Sequence, residues 1–314
     1  MSGLNASLGY FLACVVLAAS TRTLLKKRPR LGFLSELASS FMLVACRMEV
    51  QTIVEVGEWA GGLGPDVTLT VLSAVLLVHG AVCGDHSGNP GLSVTRFLQL
   101  EAAGAATALA VGCHFLGAHL ATLAAQYYWS LELTDMHMIK NLMSSDCSTS
   151  LLVSPTQGFF TEGVCALVFH LVHLFLRRRA ALIRVLSTAA LLTFMSHAAK
   201  GYTSAYVNPS LAYGLTFHCP GFTFTEYALV YWLAPFTGKL HTMGKVSSFW
   251  TVYPPNRVKK KKKMDTRDSL CSPGMILALL LYMGHIPRIF AKNLLYFHKT
   301  RFRVRKGGEK EKKK

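Results

Sequence analysis

Long apolar runs constrain the fold of this chain more than any other feature of its sequence. Seven of them follow one another along the 314 residues, at 4–20, 33–54, 67–83, 97–126, 158–176, 182–199 and 224–238. A transmembrane helix needs about 20 apolar residues, and these runs are continuous rather than alternating in polarity, which disfavours a transmembrane barrel. The sequence therefore predicts an all-α, multi-pass membrane protein.

Composition and motifs exclude several other classes of protein. Only 16% of the residues are charged, whereas soluble domains carry about 25%. No Ser-His-Asp order, phosphate loop, paired carboxylates or zinc-type cysteine spacing is present. We therefore expect neither an enzyme nor a cofactor or metal site, and an enzyme is the weakest interpretation.

The net charge of +17 is concentrated in blocks. Most Lys and Arg residues fall in four segments, at 22–30, 177–184, 239–267 and from 288 to the end. Basic blocks beside apolar spans mark cytoplasmic loops, and nothing here offers the base-reading side chains of a nucleic-acid-binding face. The run 4–20 lacks a preceding basic region, so it is interpreted as an anchor with a lumenal start rather than a signal peptide.

Two segments of the sequence resemble each other, 33–41 and 159–167. Each places an acid, Glu36 or Glu162, beside Ser or Thr near the start of an apolar run. Each is followed, after a second run, by Asn, Pro and a small residue: Asn89, Pro90 and Gly91, then Asn208, Pro209 and Ser210. The same order twice indicates an internal duplication, and because each half carries three spans the second copy must be inverted in the membrane.

The two Asn-Pro sites each predict the start of a helix, since Asn is a good N-cap and Pro is favoured at the first helical position. The segments 91–103 and 210–218 are short enough for half-helices that do not cross the bilayer. Such starts are tolerated at membrane depth only where they line a cavity. Two inverted copies would bring them face to face, with helix dipoles that repel cations and amides that donate to a neutral solute.

These residues resemble the aquaporins, and within them the unorthodox intracellular branch. The likeness covers about 31–238 and 274–300, with further support from 1–5, 132–137 and Cys219. It implies a six-helix bundle with two re-entrant half-helices, to which the run 4–20 adds an extra N-terminal helix. It also implies passage of water or small neutral solutes through one pore per subunit of a homotetramer.

The predicted organisation has five parts. They are an N-terminal anchor and basic loop (1–30), a first half-repeat (31–126), a lumenal connecting loop (127–157), a second half-repeat (158–292) and a basic cytoplasmic tail (293–314). A polar insertion, 239–274, interrupts the last span, and joining Gly238 to Met275 restores it. We interpret the insertion as translated retained intron or a gene-model error; if it is real, it must loop out into the cytoplasm.

The chain departs from the ordinary family pattern at the second Asn-Pro site. Ordinary members carry an Arg after the site, where this chain has Leu211, and we expect the constriction to become apolar and to lose a barrier to cations. Leu211, Ala205 and Ser196 are the candidates for the selectivity filter. Slow or atypical water conduction follows as a hypothesis, with glycerol or hydrogen peroxide as alternative solutes and a non-conducting membrane scaffold as the alternative function.

The remaining candidate residues have structural or targeting roles. The resemblance implies that Glu36 and Glu162 support the re-entrant loops. Cys219 is a structural and oxidisable cysteine with no partner that the sequence identifies. The two histidines His170 and His173 are expected to pack against neighbouring residues rather than bind a metal. Lys310 and Lys312 match a dilysine retrieval signal, which predicts residence in the endoplasmic reticulum or related vesicles, although a lipid-attracted basic tail explains them equally well.

Overall fold

The fold is taken from a computed structural model, which describes residues 3–27, 31–56, 65–84, 86–143, 147 and 149–238. The predicted insertion 239–274, the tail 293–314 and both lysines of the retrieval signal lie outside the described residues. So does the proposed junction of the last span with Met275.

Helices dominate the described part of the chain, and no strand occurs in it. In chain order they are α1 (Gly3–Leu25), α2 (Gly32–Glu55), α3 (Pro65–Cys83), α4 (Pro90–Leu98), α5 (Gly104–Ser130), α6 (Asp135–Leu142), α7 (Pro155–Leu176), α8 (Ala181–Ala198), α9 (Pro209–Thr216) and α10 (Phe224–Tyr227). Five of them, α1, α2, α5, α7 and α8, are long and apolar enough to cross a membrane. The predicted all-α fold with an extra N-terminal helix is confirmed.

Some helix ends differ from their predicted positions. Helix α4 stops at Leu98, short of 103, because Leu100 adopts a left-handed φ of 59° that no helix can continue through. Helix α9 stops at Thr216 rather than at 218. The last span begins with α10 and continues through a π-helical segment, Ala228–Leu233, which the sequence pattern did not predict.

The predicted connecting loop 127–157 contains a helix that the sequence analysis did not find. Helix α6 begins after Thr134, whose side chain caps it by accepting a hydrogen bond from the His137 backbone N–H. We call the side of the bundle where α1 and α7 end the basic side, and the side that carries α6 the opposite side. Helix α2 runs from the basic side to the opposite side.

A buried carboxylate fixes the N-terminal helix to the bundle. Glu49 of α2 is fully buried and accepts hydrogen bonds from Ser7 of α1 (2.5 Å) and Trp129 of α5 (3.0 Å). Its third partner is the His137 Nε2 atom of α6, at 2.8 Å. Four helices therefore meet at one carboxyl group, which a bilayer tolerates because hydrogen bonds satisfy it.

The duplication that the sequence predicts is visible in the helix packing. Gly117 of α5 lies against the backbone carbonyl of Leu37, and Gly238 of the last span lies against the backbone carbonyl of Gly163. In both halves, that carbonyl belongs to the residue after the predicted loop-supporting acid. A Cβ at either glycine would overlap with backbone, so both contacts depend on the close approach that small residues allow in membrane helices.

Candidate functional site

Each Asn-Pro site forms the N-terminus of a half-helix. The Asn89 side chain accepts a hydrogen bond from the Gly91 backbone N–H at 2.9 Å, and Asn208 accepts one from Ser210 at 3.1 Å. Pro90 and Pro209 occupy the first helical position of α4 and α9. Both sites therefore have the cap geometry that their residue types predict.

The two half-helices meet at these ends and hold each other. The Asn89 Nδ2 group donates to the Val207 carbonyl at 3.3 Å, and the Asn208 Nδ2 group donates to the Gly88 carbonyl at 3.0 Å. Each amide thus bonds the residue that precedes the other site. The N-termini of α4 and α9 consequently point toward one another in the interior of the bundle.

The residue before each Asn has a left-handed backbone. Gly88 has φ = 62° and Val207 has φ = 55°. At Gly88 a Cβ would lie 2.9 Å from backbone atoms of Ser40, so α2 leaves no room for a side chain. The first loop is therefore built with a glycine, whereas the second carries the strain of a β-branched residue in this conformation.

The third residue of the second site takes part in the same network. The Ser210 hydroxyl is fully buried and lies 2.9 Å from both the Gly88 carbonyl and the Asn208 Oδ1 atom. The third residue of the first site, Gly91, is also buried. Both third residues are therefore small and buried, as the close approach of the half-helices requires.

Glu162 holds the loop that leads into the second site. Its two carboxylate oxygens accept hydrogen bonds from the backbone N–H groups of Tyr206 and Val207, each at 2.9 Å, and the side chain is fully buried. Two further residues of this loop, Ser204 and Ala205, have positive φ in addition to Val207. The carboxylate thus offsets backbone strain directly, by satisfying the donors of the strained segment.

Glu36 occupies the corresponding place in the first half but makes different contacts. Its Oε1 atom lies 3.0 Å from the Nδ1 atom of His86 in the first loop and 3.8 Å from the Arg96 guanidinium of α4. Its Oε2 atom lies 3.6 Å from the buried His114 of α5. The expected support of the first loop therefore runs through side chains rather than through a pair of backbone amides.

A cavity of about 530 Å³ extends from the paired Asn residues. Asn89 and Asn208 line it, and so do the three filter candidates Leu211, Ala205 and Ser196, which the structure brings together. The described lining residues include no Asp or Glu, but they include four arginines: Arg47, Arg96, Arg177 and Arg184. Arg47 lines the same cavity as Leu211, so the wall of this cavity is not purely apolar, and the apolar constriction at Leu211 stays a prediction.

Sequence reasoning overlooked Arg47, although a signal for it existed. An ionisable residue within a membrane span is by default a functional candidate, and Arg47 lies within the apolar run 33–54 just as Glu36 does. Only the structure shows that Arg47 faces the cavity while Glu49, two residues later, faces α1 and α5.

An ion pair joins the two half-repeats at the basic side of the bundle. The Arg177 guanidinium after α7 lies 2.6 Å from the Glu101 carboxylate, in the segment between α4 and α5. Hydrogen bonding to Arg177 holds the pKa of the Glu101 carboxyl below its usual value. Arg177 also lines the cavity, so this pair lies at its basic-side end.

The structure supplies the partner that the sequence did not identify for Cys219. A disulfide joins Cys219 to Cys147, with a Cα–Cα distance of 5.2 Å. The bond ties the connecting loop on the opposite side to the segment after α9. Disulfides persist in oxidising compartments, so its position is consistent with the lumenal orientation predicted for this side.

The two histidines expected to pack, His170 and His173, have their rings stacked with centroids 6.3 Å apart. Over the described residues, no group of three potential metal ligands comes together.

Comparison with known proteins gives consistent matches over nearly the whole chain. The chain is 36% identical over 311 residues to aquaporin-12 of Mus musculus, covering 98% of this chain and 95% of that protein. It is 33% identical to putative aquaporin-12B of Homo sapiens, over 98% and 89% of the two chains, and 31% identical to human aquaporin-11, over 82% and 94%. No protein-family model matches the chain.

Proposed function

The chain belongs to the aquaporin family, and from this premise we propose that it conducts water and small neutral solutes, glycerol or hydrogen peroxide among them, across an intracellular membrane. The family makes it a multi-pass membrane channel protein for water or small solutes. The single observation that carries the proposal is the reciprocal bond between the two Asn-capped half-helices at the edge of the cavity.

Helix electrostatics support a pathway for neutral solutes. Each half-helix end carries roughly half a positive charge from its dipole, and the two ends point toward one another. Cations and protons are repelled there, whereas water or a hydroxyl group can accept hydrogen bonds from side-chain amides. The arginines that line the cavity add to the same positive potential.

Flux through proteoliposomes that contain the full chain tests conduction. We expect stopped-flow permeability above that of empty vesicles for at least one of water, glycerol and hydrogen peroxide. Leu211→Trp should abolish it, because Leu211 lines the cavity. Leu116→Trp is the matched control, since Leu116 is half exposed on the outside of α5 and its replacement should leave flux unchanged.

Permeability equal to that of empty vesicles for all three solutes would refute conduction and favour the non-conducting scaffold. Equal flux through the two Trp variants would show that the cavity is not the path.

Intracellular residence and homotetramer formation are further parts of the proposal. Replacing Lys310 and Lys312 by Ser should move the protein to the cell surface, and an unchanged location would show that the two lysines do not act as a retrieval signal.

Cross-linking in native membranes tests the homotetramer and should yield a band at four times the 34.4 kDa chain mass. Sequencing of the transcript tests the insertion 239–274: an abundant messenger that contains it would overturn the retained-intron hypothesis.

A further inference from the structure

We propose that Arg47 is the fixed cation that determines which solutes pass through this channel. The Arg that ordinary family members carry after the second Asn-Pro site is replaced here by Leu211, so that position cannot supply the charge. The inference rests on the proposed conduction and adds its specificity-determining residue. Arg47 lies on α2, whereas both half-helices and the three filter candidates belong to other elements.

The depth of Arg47 follows from the register of α2. The backbone of Ser40 lies against Gly88, so Ser40 marks the level of the paired Asn residues. Arg47 is seven residues further along the helix, which places it about 10 Å toward the opposite side at 1.5 Å per residue. The guanidinium therefore lies beyond the Asn pair, not at the basic-side mouth.

The contacts of Arg47 place its charge in the cavity. Its Nη2 atom donates a hydrogen bond to the Ser196 hydroxyl near the end of α8, at 3.3 Å. Tyr206 and Leu211 line the cavity with it. Ser196 and Leu211 were both filter candidates, so the guanidinium lies among the residues that the sequence pattern had already singled out.

Arg47 differs in its pairing from two other arginines of the cavity, Arg96 and Arg177. Arg96 lies 3.8 Å from Glu36, and Arg177 lies 2.6 Å from Glu101. No Asp or Glu among the residues that the structure describes lies within 4.0 Å of the Arg47 guanidinium. A charge without a carboxylate partner is costly at membrane depth unless it faces water, and a water-filled path supplies that environment.

The chemistry of the guanidinium sets the selectivity. It is always protonated, so it repels cations and protons at every physiological pH, and its N–H groups donate to acceptor oxygens. Leu211 supplies an apolar wall in the same cavity. The combination favours neutral solutes that carry hydroxyl oxygens on a short carbon skeleton, the class to which glycerol belongs.

The test compares Arg47→Met with Arg47→Lys in proteoliposomes of the full chain. Methionine keeps most of the side-chain length without the charge, and lysine restores the charge without the planar fork of donors. With an imposed potassium diffusion potential and an entrapped pH-sensitive dye, Arg47→Met should raise proton flux at least tenfold over the unmodified chain. Arg47→Lys should keep proton flux within about threefold of it, while both variants lower the ratio of glycerol to water permeability.

Lys200→Met is the matched control, because Lys200 is an exposed cation that follows the end of α8 on the same side. It should leave proton and glycerol flux unchanged. Conduction by the unmodified chain together with a proton-tight Arg47→Met variant of normal water permeability would overturn the inference and leave the proposed function standing. Absence of any flux through the unmodified chain would instead refute the proposed function itself.

Discussion

The replacement of Glu162 by Gln isolates the contribution of one carboxylate to the second re-entrant loop. Gln has the same shape but only one acceptor oxygen, because its amide nitrogen donates. In the unmodified protein Glu162 accepts hydrogen bonds from two backbone N–H groups, each at 2.9 Å. In the Gln variant, one of these N–H groups keeps a neutral oxygen acceptor, whereas the other faces the N–H of the Gln amide.

The expected cost follows from these two hydrogen bonds. A hydrogen bond to a charged group stabilises a protein by about 1.5–3 kcal/mol, and a buried donor left unsatisfied costs about 1–3 kcal/mol. Partial relaxation of the loop reduces the sum, because three of its residues have positive φ and can move toward ordinary backbone angles. We therefore expect Glu162→Gln to lower the free energy of unfolding by about 2–4 kcal/mol.

Denaturant titration of the purified chain in mild detergent measures this change. Glu132→Gln is the matched control, because Glu132 is an exposed acid that accepts a side-chain hydrogen bond from Asn141 at 2.8 Å. It should change the free energy of unfolding by less than about 0.5 kcal/mol. Glu162→Asp should fall between the two, since it keeps the charge but is too short to reach both donors.

Equal stability of the Glu162→Gln and Glu132→Gln variants would refute the reasoning. It would mean that the strained backbone of the second loop is held by the reciprocal Asn bonds alone and not by the carboxylate.

Three further predictions follow from the described contacts. Gly88→Ala should lower the free energy of unfolding by at least about 2 kcal/mol in a denaturant titration, because the added Cβ would overlap with the backbone of α2 and φ is positive. Loss of the disulfide through Cys147→Ser or Cys219→Ser should cost about 4 kcal/mol for a separation of 72 residues, and the double variant should be no less stable than either single one. Arg177→Ala should lower the melting temperature at neutral pH; because Arg177 depresses the pKa of Glu101, this difference should shrink as the pH falls below the ordinary glutamate pKa of about 4.3 and vanish once Glu101 is protonated in the folded protein as well.

Controls with unchanged stability separate these effects from general damage. Gly112→Ala adds a Cβ to open space on α5 and should be neutral or stabilising. Cys165→Ser changes a cysteine outside the disulfide and should keep the loop cross-link intact. A Gly88→Ala variant as stable as Gly112→Ala, or a melting-temperature difference for Arg177→Ala that is as large at pH 3 as at pH 7, would contradict the corresponding prediction.

The backbone plan of the channel could be predicted because it is encoded locally. Asn followed by Pro defines the start of a helix whatever surrounds it, and the repetition of acid, span and Asn-Pro gives the inverted arrangement. The length of α4 could not be predicted in the same way, since Leu100 takes up its left-handed conformation in a segment without glycine or proline.

The contacts of the site were less predictable because they depend on the face that a side chain presents. Arg47 and Glu49 stand two positions apart in the same apolar run, yet one lines the cavity and the other joins four helices. The partner of Cys219 lies far away in sequence, and spacing alone does not select among eight cysteines. Position along the chain predicts an element, whereas tertiary packing decides the neighbours of each side chain.

The two halves of the repeat meet the same backbone requirement by different means. In the first loop, glycines at 84 and 88 adopt positive φ at little cost, so Glu36 is available to bind His86 and Arg96. In the second loop, three residues with side chains adopt positive φ, and Glu162 is committed to the backbone amides of Tyr206 and Val207 in the same segment. The inverted symmetry therefore extends to the backbone and to the reciprocal Asn bonds but not to the acids. Since the second loop also supplies Ala205, Tyr206 and Val207 to the cavity, the carboxylate that offsets its strain also fixes the wall past which solute must move.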